Sequence, residues 1–93
     1  MYLGLDLGTS GLRALVVNAD GVPQASATRA YSPVHPHPGW SEQDPGDWVA
    51  AVDGALAELA GLHPEAMAAV RGIGVSGHMH GATLLDADGA VLR

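Results

Sequence analysis

The sequence predicts an α/β fold in which three antiparallel strands are followed by a helix and then by a strand in parallel pairing. Three observations support this fold class. Short apolar runs separated by glycine-containing turns fill residues 1–31. A capped helical pattern begins at Asp44, and another apolar run follows it at residues 71–76. Because a strand reached through a helix can return in the same direction, this last run is expected to pair in parallel with an earlier strand.

The first 31 residues predict a β-meander made of two successive hairpins. Residues 2–7 predict a buried strand, residues 12–17 a second strand, and residues 22–31 a third strand that is more exposed because polar and apolar residues alternate. Gly-Thr-Ser-Gly at 8–11 forms the first turn. Asn-Ala-Asp-Gly at 18–21 forms the second, with a glycine available for positive φ.

The central helix is predicted from its cap and from apolar residues at helical spacing. Asp44 is a typical N-cap, and Pro45 suits the first helical position. The helix is expected to run to about Leu62, and residues 64–69 add a short helical turn. The stripe assigned to the core consists of Trp48, Val49, Val52, Leu56 and Leu59.

A final hairpin is predicted from residues 82–85 and 90–93. Its turn at 86–89 has the same turn chemistry as residues 18–21, and there is no linker or low-complexity segment. The strand pattern reaches Arg93 without a polar tail, which would leave an unpaired edge. We therefore expect the chain to be a piece of a longer protein.

Composition excludes several classes of function. Four arginines and no lysine stand against ten carboxylates, so the net charge of -6 excludes a basic surface for nucleic acid. The absence of cysteine excludes disulfides and thiolate metal sites. The first residues lack a signal-peptide pattern, and no apolar run approaches the roughly 18 residues of a membrane span. A cytoplasmic location without a membrane partner is expected.

The segment Asp6–Gly11 carries the first candidate chemistry. A carboxylate ends a buried strand, and a turn with two glycines and two hydroxyls follows it. Asp6 could hold Mg²⁺ beside a phosphate, as phosphoryl transfer requires. The alternative is a glycine-rich hairpin whose aspartate only satisfies its own turn. The position between two apolar strands favours phosphate, although the segment is neither a Walker loop nor a dinucleotide fingerprint.

The candidate phosphate ligands lie in and just after this turn. Gly8 and Gly11 would allow backbone conformations that aim N–H groups at one point, and such nests bind anions. Thr9 and Ser10 add hydroxyl donors. Since the chain has few cations, Arg13 is the lone arginine near enough in sequence to join them.

Two histidine-containing loops are further candidates. Residues 76–81 follow the fourth strand, where ligands bind in open α/β sheets. There His80 could bond a sugar hydroxyl and Met79 could pack on its carbon face; a metal site with His78, or a merely exposed loop, remains open. Residues 35–45 contain two more histidines, but a proline-rich loop pinned by its tryptophan is favoured over a metal site.

Three motifs resemble the FGGY family of carbohydrate kinases. They are MYLGLDLGTSG at 1–11, WSEQDP at 40–45 and MHGATLLD at 79–86, and the last is most similar to the members that act on xylulose. The resemblance covers essentially the whole chain. It implies the start of an actin-like ATPase domain with a ribonuclease-H-like sheet. Residues 1–93 would be the amino-terminal part of the first of two domains, and the sheet would be incomplete.

The resemblance also implies a reaction, which is ATP- and Mg²⁺-dependent phosphorylation of D-xylulose to D-xylulose 5-phosphate. It gives Asp6 a catalytic, metal-side role, assigns the turn at 8–11 to phosphate, and assigns Met79 and His80 to the sugar. His78 stands where the family often has Gln. The family's catalytic base lies far downstream, so the chain alone is expected to be inactive. A homodimer is allowed for the complete enzyme. The alternatives are an FGGY kinase for ribulose, gluconate or glycerol, and a non-catalytic remnant.

Overall fold

A four-stranded mixed sheet with helices on one face forms the fold. The structure is a computed structural model that describes residues 1–77 and 81–92. In chain order the elements are β1 (Tyr2–Leu7), β2 (Gly11–Val17), β3 (Pro23–Ala30), α1 (Pro45–Leu62), α2 (Pro64–Ala68) and β4 (Ile73–Gly77). The sheet order is β3-β2-β1-β4.

Strand pairing confirms the predicted meander and the parallel return. β1 pairs antiparallel with β2, and β2 pairs antiparallel with β3. After the helices, β4 pairs in parallel with the other side of β1, placing Ile73 opposite Leu3. β1 is therefore a central strand, and its turn is flanked by β2 on one side and β4 on the other.

The core lies between α1 and the face of the sheet formed by alternate residues of β1 and β2. Its buried side chains are Leu3, Leu5, Leu12, Ala14, Val16, Ala27, Ala51, Ala55 and Leu59. Residues 51, 55 and 59 are four apart, so they form one face of α1. Two of them are alanines, which let the helix approach the sheet closely.

The predicted apolar stripe of α1 was partly wrong. Leu59 is buried and Val52 and Leu56 pack against the core, but Val49 is 62% exposed. The helix turns its alanines toward the sheet, and Arg29 of β3 lies against an adjacent part of α1. The Arg29 guanidinium donates to the Gly54 carbonyl O at 3.1 Å and pairs with the Glu58 carboxylate at 2.9 Å.

The helix begins as predicted. The Asp44 carboxylate accepts a hydrogen bond from the Gly46 N–H at 2.9 Å, and Pro45 occupies the first turn. Within the described residues, no helix is long and apolar enough to cross a membrane.

The two similar turns share one hydrogen-bond pattern. The Asn18 side-chain oxygen accepts from the Asp20 and Val22 N–H groups, and Asp86 Oδ1 accepts from the equivalent N–H groups of residues 88 and 90. Gly21 and Gly89 both have positive φ, near 80°. The final hairpin, predicted from residues 82–85 and 90–93, is shorter than predicted. A single bridge, Leu85 to Val91, replaces its two strands.

Candidate functional site

A row of polar side chains crosses the sheet on the face opposite α1. Thr28 of β3 lies opposite Arg13 of β2, Arg13 lies opposite Asp6 of β1, and Asp6 lies beside Ser76 of β4. Directly opposed residues share a face of a sheet, so the four side chains project to the same side. All four are exposed. The row joins the predicted carboxylate and arginine to two hydroxyls.

Asp6 is held within this row without being neutralised by it. The Ser76 hydroxyl donates to Asp6 Oδ1 at 3.2 Å. Arg13 is its cross-strand neighbour, yet the two form no ion pair; the one ion pair between described residues joins Arg29 and Glu58. Asp6, Arg13 and Ser76 line an open depression of about 450 Å³ whose floor includes Gly4 and Gly74. A carboxylate so placed remains available to a ligand.

A second depression joins Asp6 to the turn between β1 and β2. It measures about 290 Å³, and its lining includes Asp6, Gly8, Ser10, Gly11 and Arg13. The structure thus brings together Asp6 and four of the five residues predicted for phosphate binding. Thr9 is exposed in the same turn but does not line this depression.

The carbonyl groups of this turn are all hydrogen-bonded to the protein. The Gly8 N–H donates to the Gly11 carbonyl at 2.9 Å, and the Tyr31 N–H donates to the Ser10 carbonyl at 3.2 Å. The Tyr31 hydroxyl lies 2.5 Å from the Gly8 carbonyl O and 3.1 Å from that of Gly11. The remaining carbonyl, of Thr9, accepts from Gln43 Nε2 at 2.7 Å.

The glycines of the turn serve a different purpose from the predicted one. Neither Gly8 nor Gly11 has a positive φ, so the turn is not a nest built on left-handed glycines. Gly11 is required because a Cβ there would lie 2.7 Å from the Arg29 carbonyl O of β3. The close approach of β3 explains why position 11 must be glycine. The orientation of the turn's amide groups therefore has another cause.

The Tyr31 phenol has a perturbed pKa. Its burial raises the pKa of the phenol, and the nearby Asp6 carboxylate raises that pKa further. The hydroxyl therefore keeps its proton well above neutral pH and remains a donor to the turn.

The predicted sugar contacts, Met79 and His80, lie outside the described residues, as does His78. The strand before them ends at Gly77, where φ is 137° and a Cβ would lie 2.3 Å from the Leu7 carbonyl O. Only glycine fits there. β4 thus ends against Leu7, at the edge of the sheet where β1 leads into the turn.

The histidine loop before α1 has the structural role favoured by the sequence. His35 Nδ1 lies 2.8 Å from the Trp40 carbonyl O, and the His37 ring packs edge-on against the Trp40 ring at 4.7 Å. No group of three metal-ligating side chains occurs in residues 1–77 and 81–92.

Sequence reasoning missed Thr28, Tyr31 and Gln43 as parts of the site, and it placed Ser76 in the candidate loop at 76–81 without its contact to Asp6. Thr28 and Ser76 become visible only through strand register, which places them in line with Asp6. Gln43 did lie in a quoted motif, WSEQDP, but its contact with Thr9 spans 34 residues. The contacts of Tyr31 and Gln43 with the turn join residues far apart in the chain, so no local sequence pattern predicts them.

Residues 1–93 match the N-terminal domain of the FGGY family of carbohydrate kinases. A xylulose kinase from Klebsiella pneumoniae is 50% identical over 93 residues, which are 100% of this chain and 19% of that protein. The xylulose kinase of Escherichia coli (strain K12) is 46% identical with the same coverage.

The chain also resembles solved structures in its fold. The crystal structure of a "xyloylose kinase" from Brucella ovis matches with a TM-score of 0.94 and 52% identity, covering 99% of this chain and 19% of that one. The chain thus spans 19% of the length of these relatives. The likeness confirms the predicted fold class, the start of an actin-like domain with a ribonuclease-H-like sheet.

Proposed function

Because the chain belongs to the FGGY family of carbohydrate kinases, we propose that it supplies the phosphate-binding part of an ATP-dependent D-xylulose kinase. The observation that carries this proposal is the depression shared by Asp6 and the turn at 8–11. The reaction would transfer the γ-phosphoryl group of ATP to the terminal hydroxyl of D-xylulose. The choice of sugar is supported by the similarity to xylulose kinases.

Asp6 fits the role of the Mg²⁺-side carboxylate. Mg²⁺ keeps several waters and is commonly held by one or two carboxylates together with substrate phosphates. A single exposed aspartate is therefore sufficient, and its bond to Ser76 leaves the second oxygen available. Bound Mg²⁺ would neutralise charge on the phosphates. The chain's own contribution is to hold that carboxylate rigidly on a central strand.

The turn fits the role of a phosphate site. Phosphoryl transfer is catalysed mainly by positioning and by donors to the phosphate oxygens. The Ser10 hydroxyl and the Arg13 side chain line the depression, and Thr9 lies in the same turn. We assign the terminal phosphates of ATP to Gly8, Thr9, Ser10, Gly11 and Arg13.

The sugar is assigned to Met79 and His80 on the grounds of the family resemblance. Support comes from the end of β4 at Gly77, which lies beside Leu7 and so close to the turn. A sugar held after β4 would be near a phosphate held after β1. The catalytic base and the adenosine site are assigned to the part of the relatives that this chain does not span.

The proposal is tested by grafting residues 1–93 in place of the matching segment of the Klebsiella pneumoniae xylulose kinase. The isolated chain, the graft and the graft with Asp6→Asn are assayed for ATP hydrolysis and for phosphorylation of D-xylulose, ribulose, gluconate and glycerol. We expect D-xylulose phosphorylation by the graft alone.

Three results would contradict the proposal. A folded graft that phosphorylates none of the sugars would show that the chain cannot supply this part of the site. A graft that has lost D-xylulose but accepts ribulose, gluconate or glycerol would transfer the assignment to a kinase for that substrate. ATP turnover by the isolated chain would contradict the division of the site between two parts of a longer protein.

A further inference from the structure

The turn between β1 and β2 is held by side chains from two other parts of the chain. Tyr31 follows β3, and Gln43 precedes α1. The Gln43 amide donates to the Thr9 carbonyl, and the Tyr31 hydroxyl, which has one proton, lies within hydrogen-bond distance of the Gly8 and Gly11 carbonyls and is closer to Gly8. The turn itself contributes one internal backbone bond, from the Gly8 N–H to the Gly11 carbonyl.

Fixing a carbonyl also fixes the amide that follows it. A trans peptide is planar, and its C=O and N–H point in opposite directions. With the Gly8 and Thr9 carbonyls directed toward Tyr31 and Gln43, the N–H groups of Thr9 and Ser10 point away from those two side chains. Neither N–H has a hydrogen-bond partner in the described part of the chain. Two adjacent amides directed outward are the donors that an anion needs.

The orientation of the Gln43 amide is itself determined. Its Oε1 accepts from the Trp48 indole N–H at 2.8 Å. Because an indole N–H is only a donor, it must face the amide oxygen and not the NH₂ group. The NH₂ group is left to face the Thr9 carbonyl. Trp48 in the first turns of α1 thus fixes the direction of a bond made to the phosphate turn.

We propose that Tyr31 and Gln43 are positioning residues for ATP, which hold the turn carbonyls so that the Thr9 and Ser10 amides face the phosphates. This inference rests on the proposed function and adds to it two residues that touch no substrate. The two side chains also explain the orientation of the Thr9 and Ser10 amides. The glycines do not explain it, since neither Gly8 nor Gly11 has a positive φ.

The test uses the graft in the Klebsiella enzyme with Tyr31→Phe and Gln43→Met. Each substitution removes the donor and keeps the size of the side chain. Tyr2→Phe and Gln24→Met are matched controls, since Tyr2 lies at the other end of β1 and Gln24 bonds a carbonyl at the start of β3. The measurements are KM for ATP, KM for D-xylulose, kcat, thermal midpoint, and the Kd of Mg·ADP by calorimetry.

We expect KM for ATP and Kd for Mg·ADP to rise about three- to tenfold in each variant, the change produced by losing one hydrogen bond. KM for D-xylulose should stay unchanged, and both controls should match the unsubstituted graft. Gln43→Glu provides a second variant. It keeps the acceptor for Trp48, and so the packing of the loop, but it loses the donor to Thr9.

Equal ATP and Mg·ADP binding in all variants would overturn the inference. So would a parallel rise in both KM values that follows the thermal midpoint, because a purely structural role predicts that pattern. Failure of the proposed function looks different: the unsubstituted graft would then bind Mg·ADP without phosphorylating a sugar. The Kd for Mg·ADP would still decide the role of Tyr31 and Gln43.

Discussion

The Asp6 side chain is exposed on the central strand β1. A substitution there can therefore change the proposed activity with little effect on stability. In the graft, Asp6→Asn should lower kcat on the order of 100-fold, because a preorganised charge beside the phosphates acts on the transition state. The thermal midpoint should hardly change, since the Asp6 side chain is exposed and, among the described residues, its hydrogen bond is with Ser76. Asp20→Asn, in the exposed turn at 18–21, is the control. Near-normal kcat in Asp6→Asn would remove the residue from the site.

The Tyr31 phenol makes the free energy of unfolding depend on pH. The pKa of its phenol is raised, by burial first and by Asp6 second, above the ordinary value of about 10. Above that pH the unfolded chain loses the proton while the folded chain keeps it. The unfolded state then binds fewer protons, so the free energy of unfolding falls as pH rises. This contribution is complete below the unfolded pKa and is lost as pH passes through the folded one.

Urea unfolding of the chain between about pH 8 and about pH 11 measures this contribution. Stability should fall across the upper part of this range, and Tyr31→Phe should flatten the fall. Tyr2→Phe should leave it unchanged. An identical slope in Tyr31→Phe and in the unsubstituted chain would mean that Tyr31 does not lose its proton differently in the two states.

At the scale of elements, Gly11 sets the distance between β2 and β3. Gly11→Ala places a methyl group 2.7 Å from the Arg29 carbonyl O, so the strands must move apart. We expect a loss of about 1–3 kcal/mol in the free energy of unfolding, as for other overpacked sites. Gly61→Ala in α1 is the control, because no atom lies within 4 Å of its added methyl. It should stabilise by up to about 1 kcal/mol. Urea unfolding measures both, and equal stability would refute the steric argument.

The starts of α1 and β1 were predictable from sequence because their signals are local, whereas β4 was predicted at residues 71–76 and lies at Ile73–Gly77. Asp44 and Pro45 fixed the start of α1, and the apolar run 2–7 fixed β1 to the residue. The buried face of α1 was not predictable. Ala51 and Ala55 carry little apolar signal compared with Val49, so the face that α1 buries becomes visible only in the tertiary structure.

The site was predictable only where its residues are neighbours in sequence. Asp6 and the turn at 8–11 are contiguous, so the pattern indicated them directly. Tyr31 and Gln43 reach the turn only through the folding of β3 and of the loop before α1. Their contacts follow from the tertiary structure, and a single sequence gives no signal for the pairing.

At the scale of the whole molecule, the helix-bearing face of the sheet is only half covered. α1 packs on β2 and β3. Ile73 and Val75 of β4 share the face of Leu3 and Leu5 but are 63% and 68% exposed. Exposed apolar surface of this kind promotes association.

Val75→Thr should therefore lower self-association of the isolated chain and leave its stability nearly unchanged. Threonine keeps the β-branched shape that suits a strand. Val16→Thr is the matched control: Val16 is 0% exposed, so its unsatisfied hydroxyl should cost about 1–3 kcal/mol. Sedimentation velocity and urea unfolding measure the two effects. A Val75→Thr chain that associates like the unsubstituted one would show that this edge is not the cause.

The parallel pairing of β1 with β4 also determines when the two parts of the site meet as the chain folds. The meander joins neighbours in sequence, whereas the bond between Ser76 and Asp6 closes a loop of 70 residues. Contacts of long sequence separation are slow to form because the entropy of loop closure is lost before they are made. The turn at 8–11 should therefore form early, with β2 and β3, and β4 should dock late. During synthesis, a chain that has not yet emerged as far as β4 would already carry a shaped turn but not the strand that leads to the proposed sugar contacts.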